Sequence, residues 1–385
     1  VSEPFSAPSV VRQLDDCTFC PKMCRHACPV STASGRETHI PQAKMDQLNQ
    51  LRLRHTEWTL EAADSLWACT GCRHCTMYCE HENEPGMVLF VGRAEAVQRG
   101  AAPAVLARYA ERFAERDHRL AVAGRQAFAG QLATEGEIGL WPGCDGIDKG
   151  SGDIAATIAV FAAVGVDLPV IDAPQACAGY PLLAAGYPDL FRWHARKVAS
   201  TLRNFRTVVL NCSACLYAVR AQYPAEGMRT GAEVLSVGEA LARNVRSLPK
   251  ATAKTTHQRA VYYHDPCYHA RYCGVGAEPR AVLSALAEVR ELSWNGKDTE
   301  CCGGGGLLPK TMPLVADQMA KRRLAEVQAS GGGLVVTSCA TCTFMLKRNA
   351  PDSVEVADLA TAVALLTDTS YTPPSVAPSA GDDEG

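Results

Sequence analysis

The adjacent cysteines of Cys301-Cys302-Gly303-Gly304-Gly305-Gly306 constrain this chain more than any other stretch. Two neighbouring thiolates cannot both enter a compact mononuclear site without strain, whereas a group containing several metals can use both. The glycines remove every Cβ, so the backbone can come close to a bulky group and take unusual dihedrals. Cys267 lies upstream, in Tyr263-His264-Asp265-Pro266-Cys267, and Ser338-Cys339-Ala340-Thr341-Cys342 lies downstream. These five thiols read as a metal–sulfur site. Cys301, Cys302 and His264 are its candidate reacting groups, and Gly303 and Gly304 the backbone facing the bound group. His264 and His269 flank Cys267. They either deliver protons as electrons arrive or hydrogen-bond within the loop.

Two further runs stand near the N-terminus: Cys17-x2-Cys20-x3-Cys24-x3-Cys28-Pro29 and Cys69-x2-Cys72-x2-Cys75-x3-Cys79. Such runs predict a ferredoxin-like module with two [4Fe–4S] clusters, and proline after Cys28 fits that pattern. In two-cluster modules the fourth cysteine of each run serves the other cluster. Cys17, Cys20, Cys24 and Cys79 are therefore expected at one cluster, and Cys69, Cys72, Cys75 and Cys28 at the other. The first run has one extra residue between its second and third cysteines, and the second lacks the final proline. Zinc, the alternative, favours separated CxxC pairs or Cys/His pairs. His26, His74 and His81 read as polar residues of a solvated shell. The intervening stretch 40–70 has helical spacing, and 86–119 reads as continuing helix. The expected module spans 1–125.

From Gly136 the chain repeats itself. A strand leads to Cys144 and another to Cys267. Helix 154–166 answers helix 280–289, and Cys177-Ala178-Gly179 answers Cys301-Cys302-Gly303. Helix 194–203 answers helix 319–328. Strand 207–210 before Cys212-x2-Cys215 answers strand 334–337 before Cys339-x2-Cys342, and 233–242 answers 354–363. Corresponding cysteines are offset by 123 to 127 residues. Alternating strand and helix predict tandem parallel α/β repeats related by a pseudo-twofold, at 136–248 and 256–368. The tail 372–385 has no pattern and is expected to be disordered.

Composition narrows the class. A chain of 385 residues, 47% hydrophobic and 21% charged, reads as globular. Its net charge of −3 gives no electrostatic ground for nucleic-acid binding. The longest apolar run, 154–166, is too short to span a bilayer. Residues 1–10 show no signal-peptide pattern. The 18 cysteines have metal-ligand spacings, which predicts a reducing cytoplasm rather than disulfides. A thioredoxin-like dithiol would explain Cys212/Cys215 and Cys339/Cys342 but not the distant thiols. The glycines after Cys302 do not make a phosphate loop. Gly274 to Pro279 fails as a dinucleotide fingerprint. Cys273 joins no group and reads as a plain thiol.

Cys267, Cys301-Cys302-Gly303 and Cys339-x2-Cys342 together resemble the cysteine-rich CCG domain family. With the two-cluster module ahead of it, roughly residues 15–365 resemble heterodisulfide reductase catalytic subunits. The same stretch is similar to the iron–sulfur subunits of anaerobic glycerol-3-phosphate dehydrogenase, glycolate oxidase and lactate-utilisation systems. The resemblance implies a noncubane [4Fe–4S] cluster on Cys267, Cys301, Cys302, Cys339 and Cys342. In the first repeat Ala178 replaces the second cysteine of the pair. Cys144, Cys177, Cys212 and Cys215 would then hold zinc, an ordinary cluster or nothing.

The implied function is electron transfer within a multi-subunit oxidoreductase. A flavoprotein dehydrogenase or electron-transfer flavoprotein would stand on one side. A quinone-linked membrane subunit or a disulfide acceptor would stand on the other. The expected location is the cytoplasm, or the cytoplasmic membrane face through a partner. The competing classes are a catalytic subunit reducing a disulfide or quinone at the noncubane cluster, and a zinc-bearing sensor or scaffold.

Overall fold

A computed structural model of the protein describes residues 4–251 and 260–374. The chain forms two compact units, each assembled from three separate stretches. The first comprises Val1–Phe113, Gly179–Trp193 and Lys297–Arg323. The second comprises Ala114–Ala178, His194–Gly296 and Leu324–Gly385. From residue 375 the expected disordered tail lies outside the described residues, as do 1–3 and 252–259.

The first unit is helical. Four of its helices, Pro8–Phe19, Pro29–Ser34, Pro41–Arg52 and Pro85–Gln98, open on proline. Proline suits this first position because its fixed φ is already helical and its missing N–H has no intrahelical acceptor there. The proline after Cys28 therefore turns the chain into helix as soon as the first cysteine run ends. Leu60–Trp67 is capped by the Thr59 side chain, which accepts from Ala62 N. Leu14, Met45, Leu48, Leu66, Trp67 and Leu89 form the centre of the core. Leu48 packs so tightly on Gly92 that a Cβ there would stand 2.6 Å from it. The helix expected to continue across 86–119 is instead broken. Gly100 adopts φ 70°, Pro103 follows, and separate helices run over Ala104–Glu111 and Phe113–Ala127. Left-handed glycine and proline stop a helix that alanine and arginine would extend.

The second unit carries two parallel sheets. The first contains β1 (Leu132–Ala133), β2 (Gly136–Trp141), β3 (Val170–Ile171), β4 (Phe205–Leu210) and β5 (Glu233–Ser236). Its order is β1-β3-β2-β4-β5. The second contains β6 (Val261–His264), β7 (Val289–Glu291), β8 (Gly333–Thr337) and β9 (Val354–Asp358), in the order β7-β6-β8-β9. Every pairing is parallel. Apart from the short β1, the two sheets have the same strand order. The central strands are near-continuous apolar runs, as strands covered on both faces must be. Leu140, Val209, Tyr263, Val336 and Leu359 belong to one core.

One helix expectation needs correction. The helix read over 280–289 occupies Ala277–Ser284, and Val289 begins β7. The short, half-exposed strand Val289–Glu291 is too brief for its period to stand out beside an alanine-rich helix.

Candidate metal centres

The two N-terminal runs gather their thiols into two groups within the first unit. Burial pushes the Cys17 thiol up to about 12, against a hydrogen bond from Asn83, with Cys24, Cys79 and Cys20 adding repulsion. Burial also raises Cys24 to about 11, and Cys79 and Cys20 add to it. Cys75 is raised by burial and by Cys24, Cys72, Cys69 and Cys28. Cys17 and Cys24 thus interact with Cys20 and Cys79, and Cys75 with Cys28, Cys69 and Cys72, while Cys24 also interacts with Cys28 and Cys75, so the two expected sets adjoin. Thiols held protonated by burial and mutual repulsion need a cationic partner to ionise, and iron supplies it. A pocket open to solvent is lined by Cys28, Lys44, Cys69, Cys72 and Cys75. Donor chemistry and cradle both suit an iron–sulfur group.

Backbone and side-chain N–H groups point at the sulfurs. Asn83 Nδ2 lies 3.5 Å from Cys17 Sγ, and Asn83 N lies 3.4 Å from Cys79 Sγ. Gly71 N donates to Cys69 Sγ at 3.4 Å. Such bonds stabilise charge on sulfur and tune a bound cluster. Lys44 is fully buried, with Nζ 3.6 Å from Cys28 Sγ and 2.8 Å from Ala68 O. Burial pulls its pKa down, but Cys28, Cys69 and Cys75 outweigh that and raise it. His74 is buried rather than solvated, whereas His26 and His81 are exposed.

Cys301 and Cys302 also belong to the first unit, and both are buried. Gly303 N donates to Cys301 Sγ at 3.4 Å. The glycines that follow are required by protein contacts. Gly303 has φ 92°, and a Cβ there would meet Ala316 O at 2.4 Å. Gly306 has φ 63°, and a Cβ there would meet Cys69 O at 2.3 Å. Gly304 has φ −78° and precedes the short turn Gly305–Leu307.

In the second unit Cys144 and Cys177 are hydrogen-bonded to each other. Cys177 is raised and Cys144 lowered by that bond. Asp117 Oδ1 accepts from Cys177 N at 2.8 Å and Ala176 N at 3.0 Å. His194 Nε2 lies 2.7 Å from Cys177 O, and Tyr223 OH donates to Ala178 O at 2.8 Å. The turn carrying Ala178 is thus held from three sides.

The two CxxC pairs stand where β4 and β8 end. Cys212 is hydrogen-bonded to Cys215 and to Cys339, and Cys339 to Cys342. Ser213 Oγ donates to Cys339 Sγ at 3.1 Å. These bonds hold Cys339 well below the ordinary thiol range and push Cys212 above it.

Cys267 is buried beyond β6, and His264 and His269 are fully buried. Burial lowers His269 to about 4, and its Nδ1 lies 3.3 Å from Ser338 Oγ. Asp265 takes Arg280 bidentately at 2.7 Å through each oxygen, and Gly296 N at 2.7 Å. This fixes the loop entering Cys267. Cys273 is pushed up to about 12, chiefly by burial.

Lys44, Asn83, Asp117, His194 and Ser213 are site residues that cysteine spacing does not reveal. Lys44 carried a signal: it sits on the helix face of Pro41, Leu48 and Leu51, all buried. A lysine on an apolar stripe needs an anion.

The chain matches the 4Fe-4S dicluster domain over residues 13–83 and the cysteine-rich CCG domain over 138–220 and 261–347. It is 27% identical over 296 residues to one of the subunits of the fumarate reductase (CoM/CoB) of Methanothermobacter marburgensis, covering 76% of this chain and 58% of that protein. It is 29% identical over 338 residues to a probable membrane-anchored ferredoxin of Chromohalobacter salexigens, covering 81% and 49%. A third relative is one of the subunits of the dihydromethanophenazine:CoB–CoM heterodisulfide reductase of Methanosarcina barkeri. It is 24% identical over 377 residues, covering 88% of this chain and 89% of the relative. The chain spans about half the length of the first two relatives. Among the described residues no helix is long and apolar enough to cross a membrane. A match to the 4Fe-4S dicluster domain thus stands ahead of two matches to the cysteine-rich CCG domain.

Proposed function

We propose that this protein is an electron-transfer iron–sulfur subunit of a multi-subunit oxidoreductase. The observation that carries the reading is the grouping of the eight N-terminal thiols, three buried and five half-buried, in a module matching the dicluster domain. Cys17, Cys20, Cys24 and Cys79 ligate one cubane cluster, and Cys28, Cys69, Cys72 and Cys75 the other. Cys267, Cys301, Cys302, Cys339 and Cys342 ligate a noncubane cluster, with Gly303 and Gly304 as the adjoining backbone. Bound there, iron–sulfur clusters supply one-electron carriers.

The residues around the thiols set the conditions for that chemistry. Lys44 places a buried cation beside Cys28, which favours the reduced form of the group bound there. Asn83, Gly71 and Gly303 donate to sulfurs and act in the same direction. His264, buried in the strand before Cys267, is the proton-handling candidate of the second repeat. The first repeat lacks one thiol at Ala178. Its Cys144, Cys177, Cys212 and Cys215 hold zinc, an ordinary cluster or nothing, and its shared strand order supports a pseudo-twofold relation to the second repeat.

Electrons pass between a flavoprotein dehydrogenase or electron-transfer flavoprotein and a quinone-linked membrane subunit or a disulfide, on the cytoplasmic side. The relatives named as subunits of a fumarate reductase and a heterodisulfide reductase support a multi-subunit assembly. The test is anaerobic isolation of the complex, with iron, acid-labile sulfide and zinc measured, followed by Cys302→Ala. The variant should lose the noncubane signal, keep two reducible cubanes and lose turnover with its physiological partners. Full activity in Cys302→Ala, or zinc without sulfide in the native protein, overturns the reading.

A further inference from the structure

Arg93 has no place in any cysteine pattern, yet it is a buried and heavily hydrogen-bonded cation of the first unit. Its side chain is fully buried in the helix Pro85–Gln98. Nε donates to Leu66 O at 2.9 Å and Nη2 to Cys69 O at 2.7 Å. Nη1 donates to Ala184 O at 2.8 Å and Gly306 O at 3.0 Å. The guanidinium lies over Trp67 and Phe90, 5.1 and 4.7 Å from the ring centroids. A buried charge satisfied by four carbonyls from three separate stretches is costly to build. Packing alone would be served as well by an apolar side chain.

The four carbonyls identify the task. Cys69 opens the second cysteine run, and Gly306 follows Cys301-Cys302 by four residues. One planar fork holds both backbones, and its rigid donor geometry fixes their separation as a flexible lysine could not. Gly306 confirms the closeness: a Cβ would lie 2.3 Å from Cys69 O, and at Gly305 one would lie 2.5 Å from Thr70 O. We propose that Arg93 is a positioning residue that clamps the Cys301-Cys302 segment onto the second cysteine run, setting the spacing between the groups these thiols hold. The proposal rests on the ligand assignments above and adds the element that fixes their geometry.

The test uses the full chain in its native complex, comparing wild type with Arg93→Lys. Three quantities are measured: iron and sulfide content, the magnetic interaction between reduced clusters, and the single-turnover rate from the cubanes onward. Arg93→Lys keeps the positive charge but cannot bridge four carbonyls. It should retain its iron and sulfide, weaken the magnetic interaction and slow the single-turnover transfer. A merely structural role would lower thermal stability and leave the interaction per folded molecule unchanged, which overturns the clamp. Should Arg93→Lys fail to fold, Gly306→Ala keeps Arg93 and forces the two backbones apart. A wild-type magnetic interaction in folded Gly306→Ala then overturns it. Wild-type protein without a cluster signal that depends on Cys302 overturns the ligand assignment itself, a result distinct from either variant's behaviour.

Discussion

Replacing Lys44 with Met separates the two N-terminal clusters experimentally. The ammonium is fully buried, 3.6 Å from Cys28 Sγ, and among the described residues the other thiol group has no comparable cation at hydrogen-bond distance. Opposite charges about 4 Å apart interact by about 4 kcal/mol at an effective dielectric near 20. An electron added to a cluster is shared among several atoms, so about a third of that to the whole is the working range. For a one-electron couple about 59 mV corresponds to tenfold, so the expected fall in midpoint potential is about 60–170 mV. Stability should change less. The lost bond to Ala68 O costs about 1–3 kcal/mol, partly offset because a buried ammonium no longer needs desolvation. The assay is an anaerobic redox titration followed by electron paramagnetic resonance. The Cys28/Cys69/Cys72/Cys75 cluster should move down and the Cys17/Cys20/Cys24/Cys79 cluster should stay. Equal shifts in both, or none in either, refute the argument.

Two further outcomes concern the second unit. Burial, with Asp153 nearby, raises the Asp358 carboxyl well above the ordinary value of about 3.9. Its stabilising contribution is complete below that value and is lost as pH rises through the raised one. Asp358→Asn keeps an acceptor for Ala360 N and should flatten the decline of Tm as pH rises above about 3.9; a steeper decline would contradict the assignment. Asp265→Asn breaks a buried carboxylate from Arg280. It should cost about 2–3 kcal/mol rather than the full 3–5, because Arg280 is partly exposed and keeps Glu291. Anaerobic urea unfolding measures it, and an unchanged midpoint would remove Asp265 as the anchor of the Cys267 loop.

The cysteine runs and the strand repeats were legible because their signals are local. Spacing between thiols reports a shared cluster, and strand–CxxC–helix repeats report parallel units. Helix ends were less legible: Gly100 and Pro103 were weak signs inside an alanine-rich stretch. Lys44 and Arg93 were hidden for another reason. Each is a charge on a helix whose apolar residues give the pattern, and its partners are carbonyls or thiols far away in sequence. The glycines after Cys302 show the same limit. They read as room for a bound group, whereas Gly305 and Gly306 are demanded by the backbone of Cys69 and Thr70.

Arg93 also imposes a timetable on synthesis. Its acceptors Ala184 O and Gly306 O lie 91 and 213 residues further along the chain. At about 5–20 residues per second, the ribosome needs about 10–40 s to deliver the last of them. During that interval Arg93 lacks its Gly306 acceptor, and the first unit cannot close. Both N-terminal cysteine runs have by then left the ribosome. Iron delivered early meets an open cradle, and closure by Gly306 follows it.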